Sequence, residues 1–125
     1  MMEQPLPPDS DLLVHSDVCW PAVDVALVVV SGEIDLGTAP QLVAAITGPL
    51  RSLPRVLVVD LRPVRFLGVA GLNALTESRA TAAAHGVTVR IVTGGQGWLE
   101  RPIQLCGLSD VLPGYQTVDH ALETD

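Results

Sequence analysis

Two hydrophobic rhythms divide the chain. Short, almost unbroken apolar runs mark strands: Val25 to Val30, where every residue but Ala26 is Val or Leu, and Val56 to Val59, which leads into Asp60 and Leu61. Unbroken apolarity predicts burial on both faces. Val87 to Thr93 alternates instead, with Val87, Val89 and Ile91 on one side and Thr88 and Arg90 on the other. That predicts a strand with one wetter face, toward a sheet edge. Leu12-Leu13-Val14 reads as a first strand, and Asp17 to Asp24, broken by Pro21, as a loop or hairpin connection.

The second rhythm is helical. Leu42, Val43, Ile46 and Leu50 share a face behind Thr38, a candidate N-cap, and Pro40, which fits a first turn. Gly48-Pro49 predicts an early stop to that helix. A second helix carries Leu72, Leu75 and a run of alanines to Ala84, and His85-Gly86 supplies a left-handed stop. Gly94-Gly95-Gln96-Gly97 reads as a flexible loop. Trp98 to Cys106 reads as a short helix whose regular part starts near Pro102, and Thr117 caps a last helix over 118–123. The expected order is β-β-α-β-α-β-α-α. This is an α/β fold: a mixed, mostly parallel sheet of four to five strands with about four helices packed on it. One domain is expected over residues 11–125, after a flexible Pro-rich tail over 1–10.

Composition narrows the chemistry. The 125 residues suffice for one core, and 48% hydrophobic with 17% charged residues describes a packed globular chain. Aromatics are scarce, so the core is expected to be aliphatic. A net charge of −7 with no basic cluster argues against nucleic-acid binding. All seven basic residues are Arg, and the absence of Lys removes Schiff-base chemistry and the phosphate-loop lysine. No run approaches the ~20 apolar residues of a membrane span, and the N-terminus lacks the features of a secretion signal. A cytoplasmic protein is therefore expected, with Cys19 and Cys106 as free thiols and a redox role for them the open alternative.

The stretch from Val56 to Arg79 organises the rest. Its strand, polar link (Arg62 to Arg65), Phe66-Leu67, turn Gly68-Val69-Ala70-Gly71 and helix resemble the STAS domain of bacterial anti-sigma factor antagonists. Two further segments add to the resemblance: Ser31-Gly32-Glu33-Ile34-Asp35 is similar to the family's Ser-Gly-Glu-Leu-Asp, and Leu105-Cys106-Gly107-Leu108 to its Leu-Thr-Gly-Leu. The family's turn usually reads Asp-Ser-Ser-Gly or Asp-Ser-Ala-Gly, and a serine in it is phosphorylated by a partner kinase that is also the anti-sigma factor. Phosphorylation there adds about −2 charges at a helix start and breaks the partner contact. Gly68, Val69, Ala70 and Gly71 offer neither the acid nor a hydroxyl. The resemblance thus implies a non-enzymatic interaction module, without cofactor or metal, that binds a kinase-type anti-sigma factor and frees a sigma factor. It implies contact through Asp35, Gly68, Val69, Ala70, Leu72, Asn73 and Glu77, with Thr81 farther along the helix, and no phosphorylation in the turn. Self-association as a homodimer is left open.

Alternatives stand beside several of these residues. Asp35 reads equally as a partner contact or as a loop acid capping the helix after Thr38. Asp60 reads as a strand-end acid bonded to backbone rather than half of a catalytic pair with Asp35. His15, His85 and His120 lack metal-ligand spacing. Trp20 and Trp98 fit either interface anchors or half-buried core. For the whole chain, the rival functions are a degenerate STAS adaptor in a signalling complex and a nucleotide or small-ligand binder with a pocket at the carboxyl ends of the strands.

Overall fold

A computed structural model describes residues 14–123. The elements are β1 (His15–Ala22), β2 (Val25–Ile34), α1 (Ala39–Leu50), β3 (Val56–Asp60), β4 (Val64–Leu67), α2 (Val69–Ala84), β5 (Thr88–Val92), α3 (Gly97–Leu105), β6 (Gly114–Tyr115) and α4 (Val118–Glu123). The sheet runs β1-β2-β3-β5-β6, with β4 joined to the last residues of β2. Only β1 is antiparallel to its neighbour. The architecture is the mixed, mostly parallel α/β sheet expected, with six strands rather than four or five.

All five residues of β3 are buried because the strand lies between β2 and β5 with helices over both faces. On one face, Ala26, Val28 and Val30 of β2 and Leu57 and Val59 of β3 form a continuous core with Leu42 and Ile46 of α1 and Leu72 and Leu75 of α2. Leu99 and Ile103 of α3 complete that core. The other face is thinner: Val56, Val58 and Val92 pack against Ala121 of α4. Every fully buried large side chain is aliphatic, as the composition requires.

Four expectations are corrected, and one lies outside the described residues. The proposed tail over 1–10, and Leu12 and Leu13 of the proposed first strand, lie outside the described residues. Val14 is not in a strand, and β1 instead occupies the segment expected to be a connection, with Pro21 tolerated beside an irregularity between Cys19 and Ala22. Helix α1 runs through Pro49 to Leu50, because Pro49 is buried and Leu50 packs on the core. Helix α3 starts five residues before Pro102, held by Leu99 and Ile103 one turn apart on its inner face. Finally, Arg90 is not on a wet face: it is buried, and its Nη1 donates to the Ala121 carbonyl at 2.7 Å, fastening α4 to the sheet.

Candidate functional site

Two chain corners meet where β2 and β4 end. The Gly68 amide donates to the Ile34 carbonyl at 2.9 Å, tying the start of α2 to the end of β2. Gly68 is the N-cap of α2 in extended conformation and makes no side-chain cap bond. The Leu72 amide closes the first turn on the Gly68 carbonyl at 3.1 Å. The amides of Val69, Ala70 and Gly71 precede it, so this terminus presents the partial positive charge of a helix start without a carboxylate to answer it.

Gly71 explains how the corner is so tight. A Cβ there would lie 2.6 Å from Leu67 Cδ1 and 2.7 Å from Ile34 Cγ2. Only glycine lets α2 approach the strands this closely.

Asp35 sits beside this corner, exposed, and is spent on local structure. Its Oδ1 accepts from the Thr38 amide at 3.0 Å, while its own amide donates to Thr38 Oγ1 at 2.9 Å. Thr38 Oγ1 also donates to the Glu33 carbonyl at 2.7 Å. The Thr38 amide and hydroxyl hold the Asp35 carboxyl below the usual aspartate range. The acid therefore closes a local turn onto Thr38, the N-cap of α1, with no side-chain cap bond to the helix's own amides, and the carboxylate's exposure leaves its outer edge accessible.

The remaining sequence-predicted contacts divide by helix face. Val69, Asn73 and Glu77 are exposed and Ala70 half-buried, with Thr81 exposed farther along. Leu72 is corrected: at 1% exposure it points into the core with Leu75, so it supports the surface without being part of it. Sequence reading also missed two apolar residues of the corner. Leu36 is 83% exposed and Phe66 48%, beside Val69 at 64%. Leu36 carried a signal, an apolar residue in a polar turn outside any helical or strand period. An open groove of about 430 Å³ adjoins the corner between α1 and α2, lined in part by Leu36, Pro40, Val43, Ala70, Asn73 and Glu77.

The hydroxyls nearest the turn are engaged or buried, and Thr81 is exposed about three turns along α2. Thr76 Oγ1 donates to the Leu72 carbonyl at 2.9 Å, and Ser78 is buried. Asp60 is held elsewhere, at the end of β3. Its Oδ1 accepts from the Arg62 amide and Nε, and its Oδ2 accepts from Arg62 Nη2 at 2.8 Å. That two-pronged grip raises the Arg62 guanidinium above its ordinary range. The backbone reading of Asp60 holds, and the arginine fork was missed. Asp35 and Asp60 thus answer to separate partners. Cys19, on β1, and Cys106, just past the end of α3, are free and exposed. Trp20 and Trp98 are exposed, on β1 and α3. Among the described residues, no trio of His, Cys, Asp or Glu is placed to hold a metal, and no helix is long and apolar enough to cross a membrane.

Comparison with known proteins places this geometry. The sequence profile of the STAS domain matches residues 21–121. The anti-sigma-F factor antagonist RsfB of Mycobacterium tuberculosis is 38% identical over 99 residues, covering 78% of this chain and 79% of RsfB. The crystal structure of an anti-sigma factor antagonist from Mycobacterium paratuberculosis superposes with a TM-score of 0.71 at 37% identity, covering 94% of this chain and 95% of that one. The antagonist SpoIIAA of Bacillus, in its unphosphorylated form, shares the fold at 13% identity, with a TM-score of 0.70 over 87% of this chain and 94% of its own. With the family profile matched from β1 to α4 and similar antagonists of like length, the chain belongs to the STAS domain family.

Proposed function

We propose that the chain is an anti-sigma factor antagonist of the cytoplasm. It binds an anti-sigma factor of the serine-kinase type through the corner formed by Asp35, Leu36, Phe66, Gly68, Val69 and the exposed face of α2, and so releases a sigma factor. The names of RsfB and of the mycobacterial structure support the antagonist role. The observation that carries the finer reading is the bare start of α2, where Val69 projects at 64% exposure and residues 66–72 contain no side-chain hydroxyl.

A kinase docked there finds an apolar side chain in place of a nucleophile. The contact is then not broken by phosphorylation, and control falls to expression, to a competing partner or to the cysteines. The role needs no cofactor, no nucleic acid, no membrane and no catalysis by this chain.

The test is capture of endogenous partners by the tagged chain, run beside a Val69→Arg variant. A serine-kinase-type anti-sigma factor held by the parent chain and lost from the variant is the expected result. Capture that Val69→Arg leaves unchanged, or that contains no such kinase, overturns the proposal.

A further inference from the structure

The outer edge of β1 is the second unusual surface. β1 is the terminal strand of the sheet, eight residues long, and every one of them is exposed. Among the described residues no strand lies against its free edge. A long open edge is a template for pairing, and proteins commonly guard it with lysine or a central proline, or keep it short. Here HSDVCWPA has no Lys or Arg, one carboxylate (Asp17), and Pro21 only toward the hairpin end, within the irregular segment after Cys19. Val18 and Trp20 are exposed on it at 46% and 42%.

We propose that this edge pairs with β1 of a second copy, forming a two-fold dimer with one continuous sheet. A two-fold axis perpendicular to the sheet joins the strands antiparallel and keeps α1 and α2 of both copies on the same face. Because that axis preserves the faces, the register must centre on a residue. Centring on Asp17 would set two carboxylates against each other, which is unfavourable. Centring on Val18 sets Val18 against its own copy, Trp20 against Ser16, and Asp17 against Cys19. No like charges then oppose one another, and the largest apolar side chain of the strand lies across from a small neighbour. The strand is thus complementary to itself in this register, and it presents no charge pattern to recruit an acidic or basic peptide instead.

The surface is separate from the antagonist corner. Val18 pairs with Val28 of β2, seven residues before Asp35, a distance of roughly 23 Å along an extended chain. Loss of the dimer should therefore leave anti-sigma factor binding intact.

Light scattering on the eluting full-length chain, over a concentration series into the hundreds of micromolar, should give twice the single-chain mass. Val18→Glu, which places two carboxylates on the axis, should give the single-chain mass. A second measurement does not depend on how that variant folds. Val18→Cys, made together with Cys19→Ser and Cys106→Ser, should form an intermolecular disulfide under mild oxidation, because antiparallel pairing brings the two Cα atoms to about 4.5–5.5 Å, within disulfide reach. It should do so at least tenfold faster than Val23→Cys, at the exposed hairpin tip, in the same background. A monomeric parent chain, a Val18→Glu protein that keeps the doubled mass, or equal crosslinking rates for the two cysteine variants would overturn the proposal.

Discussion

Gly71→Ala probes the corner through its tightest packing. The added methyl would lie 2.6 Å from Leu67 Cδ1 and 2.7 Å from Ile34 Cγ2, with Ile34 Cβ at 3.3 Å. The Leu67 methyl ends a flexible side chain and can swing aside. Ile34 cannot: it is β-branched, fully buried, and its Cβ is fixed to β2. The helix must then retreat from the sheet. Overpacking of this kind costs about 1–3 kcal/mol, while alanine in place of glycine returns about 0.5–1 kcal/mol in helix propensity. The expected net loss is about 0–2.5 kcal/mol, centred near 1 kcal/mol, which corresponds to a fall in Tm of roughly 4 °C for a domain of this size. Urea unfolding should show a lower midpoint with an unchanged slope, since the surface exposed on unfolding is the same. Anti-sigma factor binding should weaken as well, because the first turn of α2 moves. A variant more stable than the parent, by the roughly 0.5–1 kcal/mol that propensity alone predicts, would refute the packing argument.

Leu53 has φ 50° and is 60% exposed, an unusual conformation for a bulky side chain after a helix end. Leu53→Gly relieves about 1–2 kcal/mol of left-handed strain against about 0.5–1 kcal/mol of added chain entropy, so a Tm higher by a few degrees is expected, and a lower one would contradict it. Asp35 has its folded pKa lowered below the ordinary 3.8 by Thr38. Its contribution is therefore full above the unfolded value and lost as pH falls through the folded one. The stability gap between the parent chain and Asp35→Ala, read as urea midpoints from pH 6 to pH 3, should shrink below about pH 4; a constant gap would show that the carboxylate charge is not what matters.

Local signals carried much of this fold. The run Val56 to Val59 declared a central strand, Gly86 at φ 78° ended α2 where its left-handed freedom was needed, and Thr117 Oγ1 accepts the His120 amide at 3.0 Å as a cap should. What escaped was set by tertiary context. β1 has no buried face, so no apolar period marks it, and Pro21 disguised an edge strand as a loop. β4 is four residues between turns, with burial only at Val64 and Leu67. Pro49 and Pro102 looked like helix boundaries, but core packing by Leu50, Leu99 and Ile103 outweighed them. At the site, the turn's missing hydroxyl was legible letter by letter. Leu36, apolar in a polar turn, carried a signal that went unused; Phe66 carried none, because its importance lies in exposure; and Leu72 belongs to the inward face that its spacing with Leu75 already marked.

The central claim is a docking corner that cannot accept a phosphoryl group, and phosphopeptide mapping tests it most directly. The parent chain and a Gly68→Asp, Val69→Ser, Ala70→Ser variant would each be incubated with ATP and the kinase-type anti-sigma factor. The account predicts no phosphate within residues 66–72 of the parent chain and phosphate on the restored serines of the variant. Phosphate in that segment of the parent, or none in the variant, would contradict it.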